Sequence, residues 1–226
     1  GPREIRGVYR RRVPLGVPLA LAVRRDTGGA RFELTDGRAT LVDGRVERSA
    51  DVVTEAARPV ETAYPLPISD RCFACGTKNE IGLRVGLEFG ERAVAGELAP
   101  GERLRSDAGT VATAGLTTLL DEAAFWLGAL KTGESGMTTE LRVTLHGPAP
   151  FGSPVVVRGA RAAVQARAGD QRYWDTDVEA RIDGAVVATA GITFVAVRGA
   201  ARRLVTGMLA INDPARVQRV FPAYTR

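Results

Sequence analysis

The longest apolar segment of the chain, residues 110–130, carries only two charged side chains, Asp121 and Glu122, near its centre. Leucines recur along it at helical spacing, and Gly133 and Gly136 follow as residues that commonly end helices. A helix at the surface carries charge on one face, whereas this segment is uncharged nearly all round. The pattern therefore predicts one long helix that is buried on almost every side and contains two adjacent carboxylates.

Strand-like segments flank the predicted helix on both sides. Residues 174–182 alternate between apolar or small and charged side chains, which indicates a strand with one solvated face and hence an antiparallel sheet. Asp183-Gly184 then predicts a tight hairpin turn into a further strand at 185–197. The remaining predicted strands of this part are residues 81–89, 93–98, 137–145 and 154–165. One apolar helix among several strands predicts an α+β fold, in which a sheet curls round the helix and something else covers its far side.

The first sixty or so residues differ in character from the rest. Short apolar runs are separated by the pairs Gly28-Gly29, Asp36-Gly37 and Asp43-Gly44, and they therefore predict small hairpins. These runs are residues 19–25, 30–36 and 39–47. Residues 51–57 fit one or two turns of helix, and prolines mark residues 58–67 as a linker.

At the other end of the chain, Asn212 or Asp213 has the position of an N-cap and Pro214 that of the first helical residue, so a short final helix is predicted. The predicted organisation has three segments. They are an N-terminal β-rich extension and linker at 1–64, a central domain at 65–198 and a C-terminal helical tail at 199–226.

Composition limits the partners. The 226 residues include 31 Lys and Arg against 26 Asp and Glu, a net charge of +5. Apart from the cluster at 10–12, the arginines are scattered among acidic residues and form no concentrated stripe, so we expect no nucleic-acid partner. Carboxylates interrupt the longest apolar segment, so we expect no membrane span. No secretory signal opens the sequence, and we expect a cytoplasmic protein.

Cys72 and Cys75 form the only CxxC pair, and His146 is the only histidine. A structural zinc site takes four ligands, so one chain offers too few; a four-cysteine site shared by two subunits is the alternative. Prolines and glycines surround the pair, which predicts a turn with two semi-buried thiols rather than a redox pair between a strand and a helix. We therefore expect neither a metal nor another cofactor. A Ser-His-Asp hydrolase is disfavoured because the chain lacks a nucleophile elbow.

Three segments carry a recognisable combination: CFACGTKNEIGLRVGLEF at 72–89, GLTTLLDEA at 115–123 and MTTELRVTLHGPAPFGSPVVVRG at 137–159. Together they resemble the hotdog-fold acyl-CoA thioesterases of the PaaI-like group, over residues 72–197. The resemblance implies a curved antiparallel sheet wrapped round one central helix, in a homodimer or tetramer whose sheets become continuous. It also implies metal-independent hydrolysis of an acyl-CoA or related acyl thioester, with CoA as part of the substrate.

In that family the central helix commonly opens with His-Gly-Gly, and a catalytic Asp or Glu follows farther along it. With Asp121 at the acid position, Ala112, Thr113 and Ala114 stand where His-Gly-Gly would be. The resemblance implies that backbone N–H groups of Thr113, Ala114 and Gly115, aided by the helix dipole, polarise the thioester carbonyl. Glycines let a substrate approach such a backbone closely, and this chain lacks the pair.

Asp121 also has a chemical interpretation of its own. On a helix it lies away from the leucine stripe, on a flank shared with Phe125 and small residues. Loss of solvation there raises the pKa of a carboxyl group and makes it a better general base, so we predict Asp121 as base or nucleophile. The alternative is a buried carboxylate paired with an arginine. For Glu122 the prediction is a salt bridge or a contact at a subunit interface.

The resemblance implies further site residues. Thr138 and Thr139 match positions near the active site of the neighbouring subunit, where a hydroxyl can hold the attacking water. For substrate binding we predict Phe125 at the acyl cavity and Arg158 at the phosphates of CoA.

Two alternatives to an enzyme stay open. The missing glycine pair favours a non-catalytic hotdog protein that binds an acyl-CoA or another acyl ligand. Alternatively, the N-terminal extension is a docking module for another protein, and the hotdog part is its scaffold.

Overall fold

The computed structural model describes residues 1–49 and 63–225. The helical turn predicted at 51–57 lies outside these residues, as does part of the predicted linker. The strands of the N-terminal part are β1 (Arg3–Tyr9), β2 (Ala20–Arg25), β3 (Gly29–Thr35) and β4 (Thr40–Arg48). The later strands are β5 (Tyr64–Pro65), β6 (Gly86–Phe89), β7 (Ala93–Leu98), β8 (Gly136–Leu145), β9 (Val155–Ala160), β10 (Gln165–Ala166), β11 (Tyr173–Ile182) and β12 (Ala185–Ala196). The α-helices are α1 (Thr113–Thr132), α2 (Ala201–Leu209) and α3 (Pro214–Val220).

The strands of the described residues join one antiparallel sheet. Its order is β2-β3-β4-β1-β8-β12-β11-β9-β7-β6-β5, and β10 pairs with β11. The long helix α1 packs on the inner face of this sheet, against β7, β8, β9, β11 and β12. A curved antiparallel sheet round one long helix is the α+β hotdog architecture that the sequence predicted, and this prediction is confirmed.

The central helix is buried, as its apolar pattern predicted. The leucines and alanines from Leu116 to Ala129 are buried, and the indole of Trp126 is only 1 % exposed. Gly133 ends the helix in the left-handed conformation, at φ 69°, and its N–H donates to the Ala129 carbonyl. At Gly128 the sheet comes so close that an added β-carbon would lie 2.6 Å from the Phe194 ring. Neither α1 nor any other helix in the described part of the chain is long and apolar enough to cross a membrane.

The hydrophobic pattern does not predict β1, the strand that joins the N-terminal part to the central sheet. β1 pairs with β4 on one side and with β8 on the other, where Ile5 lies opposite Val143. Its inward row is Ile5, Gly7 and Tyr9, and the glycine interrupts the apolar alternation. Through this strand, β1 to β4 extend the sheet beyond β8 within a single chain.

Three predicted boundaries are wrong. The strand predicted at 154–165 is interrupted, because residues 161–163 form a turn of 3₁₀ helix between β9 and β10. Asp43-Gly44 is not a turn, because it lies inside β4, where Gly44 pairs with Gly7 on one side and Phe32 on the other. A β-carbon on Gly44 would lie 2.4 Å from the Phe32 ring, so this glycine serves close packing on the sheet. Residues 81–85, predicted as part of a strand, are the end of an irregular segment at 66–85, here named the cysteine loop.

The chain itself covers the far side of α1. Phe221, at the end of α3, is fully buried, and its ring centroid lies 6.3 Å from that of Trp126. The Asn212 side chain accepts from the Ile68 N–H at 2.9 Å and donates to the Ile68 carbonyl at 2.8 Å, which ties the tail to the cysteine loop. Asp213 caps α3, as one of the two predicted N-caps. The apolar helix therefore does not need a second subunit as its cover, and the homodimer stays a prediction.

We expect Phe221→Ala to lower the free energy of unfolding by about 3–5 kcal/mol, because it removes a buried ring from the contact with Trp126. Chemical denaturation followed by tryptophan fluorescence measures this change. Leu15→Ala, at a side chain that is 93 % exposed, is the control and should change the free energy by no more than about 0.5 kcal/mol. Equal effects of the two substitutions would contradict the role of the tail as a cover for α1.

Candidate functional site

Asp121 lies in the middle of α1, on the flank that faces β8. The Thr138 hydroxyl donates to its Oδ1 at 2.5 Å, a length typical of a hydrogen bond to a charged oxygen. Within residues 1–49 and 63–225 Asp121 forms no ion pair, so the alternative of an arginine partner is not supported there. Two predicted site residues thus meet within one chain, whereas the resemblance implied a threonine of the neighbouring subunit.

Burial is the main influence on the Asp121 carboxyl group. It raises the pKa of Asp121 above its ordinary value, and the hydrogen bond from Thr138 opposes the rise. The residue as a whole keeps some exposed surface, but protein atoms surround the carboxyl group closely, and this local density governs its solvation. The carboxylate is therefore a stronger base than one in open solvent.

A β-bulge turns Thr138 towards the helix. Thr193 of β12 pairs with Glu140 of β8. The next residue, Phe194, pairs with Thr138, which leaves Thr139 as an extra residue on β8. Without the bulge, Thr138 would point to the outer face, because successive side chains of a strand alternate. The Thr139 hydroxyl donates instead to the Thr193 carbonyl at 3.3 Å, so only one of the two predicted threonines is turned to the helix.

Tyr9, at the end of β1, is a neighbour of the site that the sequence does not predict. Burial, and then the negative charge of Asp121, raise the pKa of the Tyr9 phenol, so the two side chains lie within electrostatic reach of each other. The pairing of β1 with β8, in which Val8 lies opposite Glu140, brings Tyr9 there. No local pattern around Tyr9 indicates this role, because the pairing joins distant parts of the chain.

The start of α1 is separate from Asp121 within one chain. The helix begins at Thr113, eight residues before Asp121, and the helical rise puts the two about 12 Å apart along the axis. One carbonyl group cannot contact both. The Gly115 N–H already donates to the Ala112 carbonyl at 2.9 Å, which leaves the amides of Thr113 and Ala114 as the candidate donors. The predicted acid and the predicted carbonyl-polarising amides therefore do not form one site in a single chain.

Of the two predicted substrate-binding residues, one lies beside Asp121 and the other lies on the opposite face of the sheet. Phe125 lies one turn after Asp121 on the same flank of α1, and its ring packs edge-on against Phe194 with centroids 5.9 Å apart. Arg158 lies on β9 between two buried residues, so its side chain is on the outer face of the sheet, away from α1. The structure thus brings Phe125, but not Arg158, next to Asp121.

Glu122 faces the cysteine loop. The indole N–H of Trp126 donates to its Oε1 at 2.9 Å. A carboxylate oxygen of Glu122 and the sulfur atoms of Cys72 and Cys75 all lie within 4.8 Å of one another. Burial, helped by the negative charge of Cys72, raises the pKa of Glu122 to about 7. The salt bridge predicted for Glu122 is not found among the described residues.

The two thiols of the cysteine loop differ from each other. The Cys75 thiol, with the backbone N–H groups of Cys75 and Ala74, donates to the Cys72 sulfur and lowers the pKa of Cys72 to about 6. The same contact, together with burial, raises the pKa of Cys75. Both cysteines are free and lie in the predicted turn, but only Cys72 is semi-buried, whereas Cys75 is buried.

Solved structures with a similar fold are found for this chain, although their sequences are only distantly similar. No family profile matches the chain, and no curated protein sequence matches it. A solved thioesterase-superfamily protein is 24 % identical over 57 % of this chain and 64 % of its own length, less than two thirds, with a TM-score of 0.49. The tesB protein of Mycobacterium avium subspecies paratuberculosis aligns with a TM-score of 0.59 at 11 % identity, over 87 % of this chain and 78 % of that protein. The dehydratase domain of the CurJ module of curacin polyketide synthase aligns with a TM-score of 0.56 at 10 % identity, over 87 % of this chain and 75 % of that domain.

The last two alignments also include part of the N-terminal extension. A share of 87 % is larger than residues 65–226 alone can supply, so both aligned ranges begin before residue 65. At these identities the likeness concerns the fold, which is the curved antiparallel sheet with α1 on its inner face. The chain is therefore a hotdog-fold protein.

Proposed function

We propose that this protein hydrolyses an acyl-CoA or a related acyl thioester, with Asp121 as general base or nucleophile. One observation carries the proposal: the carboxyl group is largely buried, accepts a hydroxyl donor, and has no ion-pair partner in the described part of the chain. A buried carboxylate without a cation lowers stability, and such groups are concentrated at functional sites. The hotdog fold agrees with this reaction but does not by itself establish it.

The chemistry needs no group beyond the carboxylate and water. As a base, Asp121 takes a proton from water while the water oxygen attacks the thioester carbonyl carbon. The tetrahedral intermediate then breaks its C–S bond, and the leaving thiolate takes the proton from Asp121. As a nucleophile, a carboxylate oxygen attacks the carbonyl carbon, the C–S bond breaks, and the thiolate leaves behind a mixed anhydride. Water then hydrolyses the anhydride, which releases the carboxylic acid, regenerates the Asp121 carboxylate and supplies the proton that the thiolate takes up. In both routes the hydrogen bond from Thr138 orients the carboxylate.

The carbonyl oxygen of the substrate needs hydrogen-bond donors about 3 Å away. The single Thr138 hydroxyl proton is already donated to Asp121, which leaves the Tyr9 phenol as the candidate donor near Asp121 among the described residues of one chain. The amides of Thr113 and Ala114 can donate to this carbonyl oxygen only if a second copy of the chain brings the start of its α1 close to Asp121. The homodimer that the resemblance implies would supply such a second copy, and we propose it as the state in which those amides act.

A non-catalytic acyl-ligand binder is the second candidate function. The separation of about 12 Å between the helix start and Asp121 favours it, as does the absence of the glycine pair. In such a protein an acyl chain would bind beside Phe125, and the reactive carbon would lie away from Asp121.

We expect wild-type protein to release free thiol from at least one acyl-CoA in a panel of short, long and aromatic acyl groups. Asp121→Asn should lower kcat by about 10²–10⁴-fold, because a general base contributes rate enhancement of this size. A chromogenic thiol assay measures both. Glu88→Gln, which alters an exposed carboxylate on β6, is the control and should leave kcat unchanged. Acyl-CoA binding by calorimetry without thiol release from any ester would establish the binder and exclude the enzyme.

Asp121→Asn should also raise the melting temperature at neutral pH. The pKa of Asp121 is raised in the folded state, so the unfolded chain ionises first, and stability falls as pH rises above the ordinary value of 3.8. An amide of the same shape avoids that loss. Thermal unfolding from pH 3 to pH 8 should show equal melting temperatures at the acid end and a growing advantage of the variant above it. A variant less stable than wild type at pH 7 would contradict the unpaired burial of Asp121.

Thr138→Val should shift the acid limb of the kcat profile to higher pH. The reaction needs the Asp121 carboxylate, and the Thr138 hydroxyl lowers the pKa of Asp121, so its removal raises that pKa further. Thr139→Val is the matched control, because its hydroxyl bonds the Thr193 carbonyl instead. The control should keep the wild-type profile. The same shift in both variants would show a general effect on β8 and not a specific action on Asp121.

A further inference from the structure

Cys72, Cys75 and Glu122 form a compact group of three possible metal ligands. Their two sulfur atoms and one carboxylate oxygen lie within 4.8 Å of one another. In a tetrahedral zinc site with Zn–S near 2.3 Å and Zn–O near 2.1 Å, such atoms are about 3.5–3.8 Å apart. The three atoms therefore need to approach one another by at most about 1.0–1.3 Å, which side-chain rotation can supply.

The loop places its two sulfur atoms by a tight turn. The Gly76 N–H donates to the Cys72 carbonyl at 3.0 Å, and the N–H groups of Ala74 and Cys75 point to the Cys72 sulfur. A β-carbon on Gly76 would lie 2.2 Å from the Cys72 carbonyl oxygen, so this close turn requires glycine there. Backbone N–H groups that donate to a sulfur atom stabilise its thiolate form. The thiolate is also the form that binds a metal ion.

The third ligand comes from the buried helix. Glu122 lies on α1, and the Trp126 indole N–H orients its carboxylate from the side. No ion pair compensates Glu122 within the described residues, although a second acid, Asp121, is next to it. The acidic groups of Cys72, Asp121 and Glu122 thus lie close together in a largely buried place without a cation among the described residues. This arrangement lowers the stability of the fold unless protons or a metal ion neutralise the charges.

We propose that Cys72, Cys75 and Glu122 bind one Zn²⁺ ion, which fastens the cysteine loop to α1. Two thiolates and a carboxylate are ligands that zinc accepts, and the CxxC spacing is common among zinc sites. The ion would offset two of the three negative charges of its ligands and would leave its fourth position for water or another ligand. The sequence predicts no metal because cysteine and histidine alone provide too few ligands, and because Glu122 is predicted in a salt bridge or at a subunit interface.

The site goes beyond the proposed hydrolysis and does not depend on it. Asp121 is the neighbour of Glu122 on the helix but has a different partner, Thr138. A nearby Zn²⁺ would favour the charged form of Asp121 and so lower its pKa. The stability and pH predictions made for Asp121 therefore apply to protein from which metal has been removed.

Metal analysis of the full chain tests the site. Protein purified with a phosphine reductant and without chelator should contain one zinc ion per chain. Cobalt(II) added to metal-free protein should give the ultraviolet thiolate-to-metal charge-transfer band and the visible bands of a tetrahedral site. Zinc should also slow the reaction of the thiols with an aromatic disulfide reagent. These readouts do not involve thioester hydrolysis, so they are independent of the outcome for Asp121.

Substitutions then identify the ligands. Cys72→Ser and Cys75→Ser should each weaken the charge-transfer band and remove the stoichiometric zinc. Glu122→Gln keeps both thiolates and the shape of the side chain, and should lower zinc affinity by more than about 100-fold, above the loss for residues that only support a ligand. Asp70→Asn is the matched control, because this carboxylate of the same loop pairs with Lys78 instead. It should bind zinc as wild type does.

Three results would overturn the zinc site. One is the absence of stoichiometric zinc in reduced wild-type protein together with no binding in competition with a chromophoric zinc indicator. Another is equal zinc affinity of Glu122→Gln and wild type, which would exclude the carboxylate as a ligand. The third is a Cys72–Cys75 disulfide in place of the metal in protein isolated without reductant, with no zinc uptake after reduction. Circular dichroism of each variant separates loss of zinc from loss of the fold.

Discussion

Burial of α1 on all its sides is the constraint on which the rest of this structure depends. A twenty-residue helix without a solvated face needs apolar cover all round, and the curved sheet supplies it on one side only. The tail supplies the other, through the fully buried ring of Phe221 against Trp126. Because this cover largely excludes water, the polar groups of the helix must form their hydrogen bonds with other protein groups.

Asp121 and Glu122 meet this condition in different ways. Adjacent residues of a helix point about 100° apart, so the two carboxylates face different parts of the molecule. Asp121 faces the sheet and accepts from Thr138, while Glu122 faces the cysteine loop and accepts from Trp126. Neither has a cation among the residues that the structure describes. The proposed hydrolysis uses the first carboxylate as a base, and the proposed zinc site uses the second as a ligand.

The N-terminal strands connect directly to this arrangement. In a hotdog dimer the sheets of two subunits become continuous, whereas here β1 extends the sheet past β8 within one chain. The same pairing brings the Tyr9 phenol near Asp121. The extension therefore contributes a residue beside the candidate site, and its role as a docking module stays a prediction.

Most of the fold could be predicted from local patterns. Uncharged helical spacing predicts α1, period-two alternation predicts β11, and Asp183-Gly184 predicts the hairpin after it, because each depends on neighbouring residues alone. Local patterns fail where packing against a distant strand decides the conformation. Gly44 resembles a turn residue but lies in β4 to accommodate the Phe32 ring, and β1 is a strand because β4 and β8 pair with it.

In the candidate site, too, local sequence determined some features and contacts between distant residues determined the others. The sequence by itself determined that Asp121 and Glu122 are buried, since nothing charged accompanies them on the helix. Only the tertiary structure decided their partners. A one-residue bulge in β8 directs Thr138, and not Thr139, to Asp121, and the fold of the cysteine loop brings two thiols to Glu122. Such partners come from residues far along the chain, and their contact depends on strand register and loop closure, which no local spacing of residues encodes.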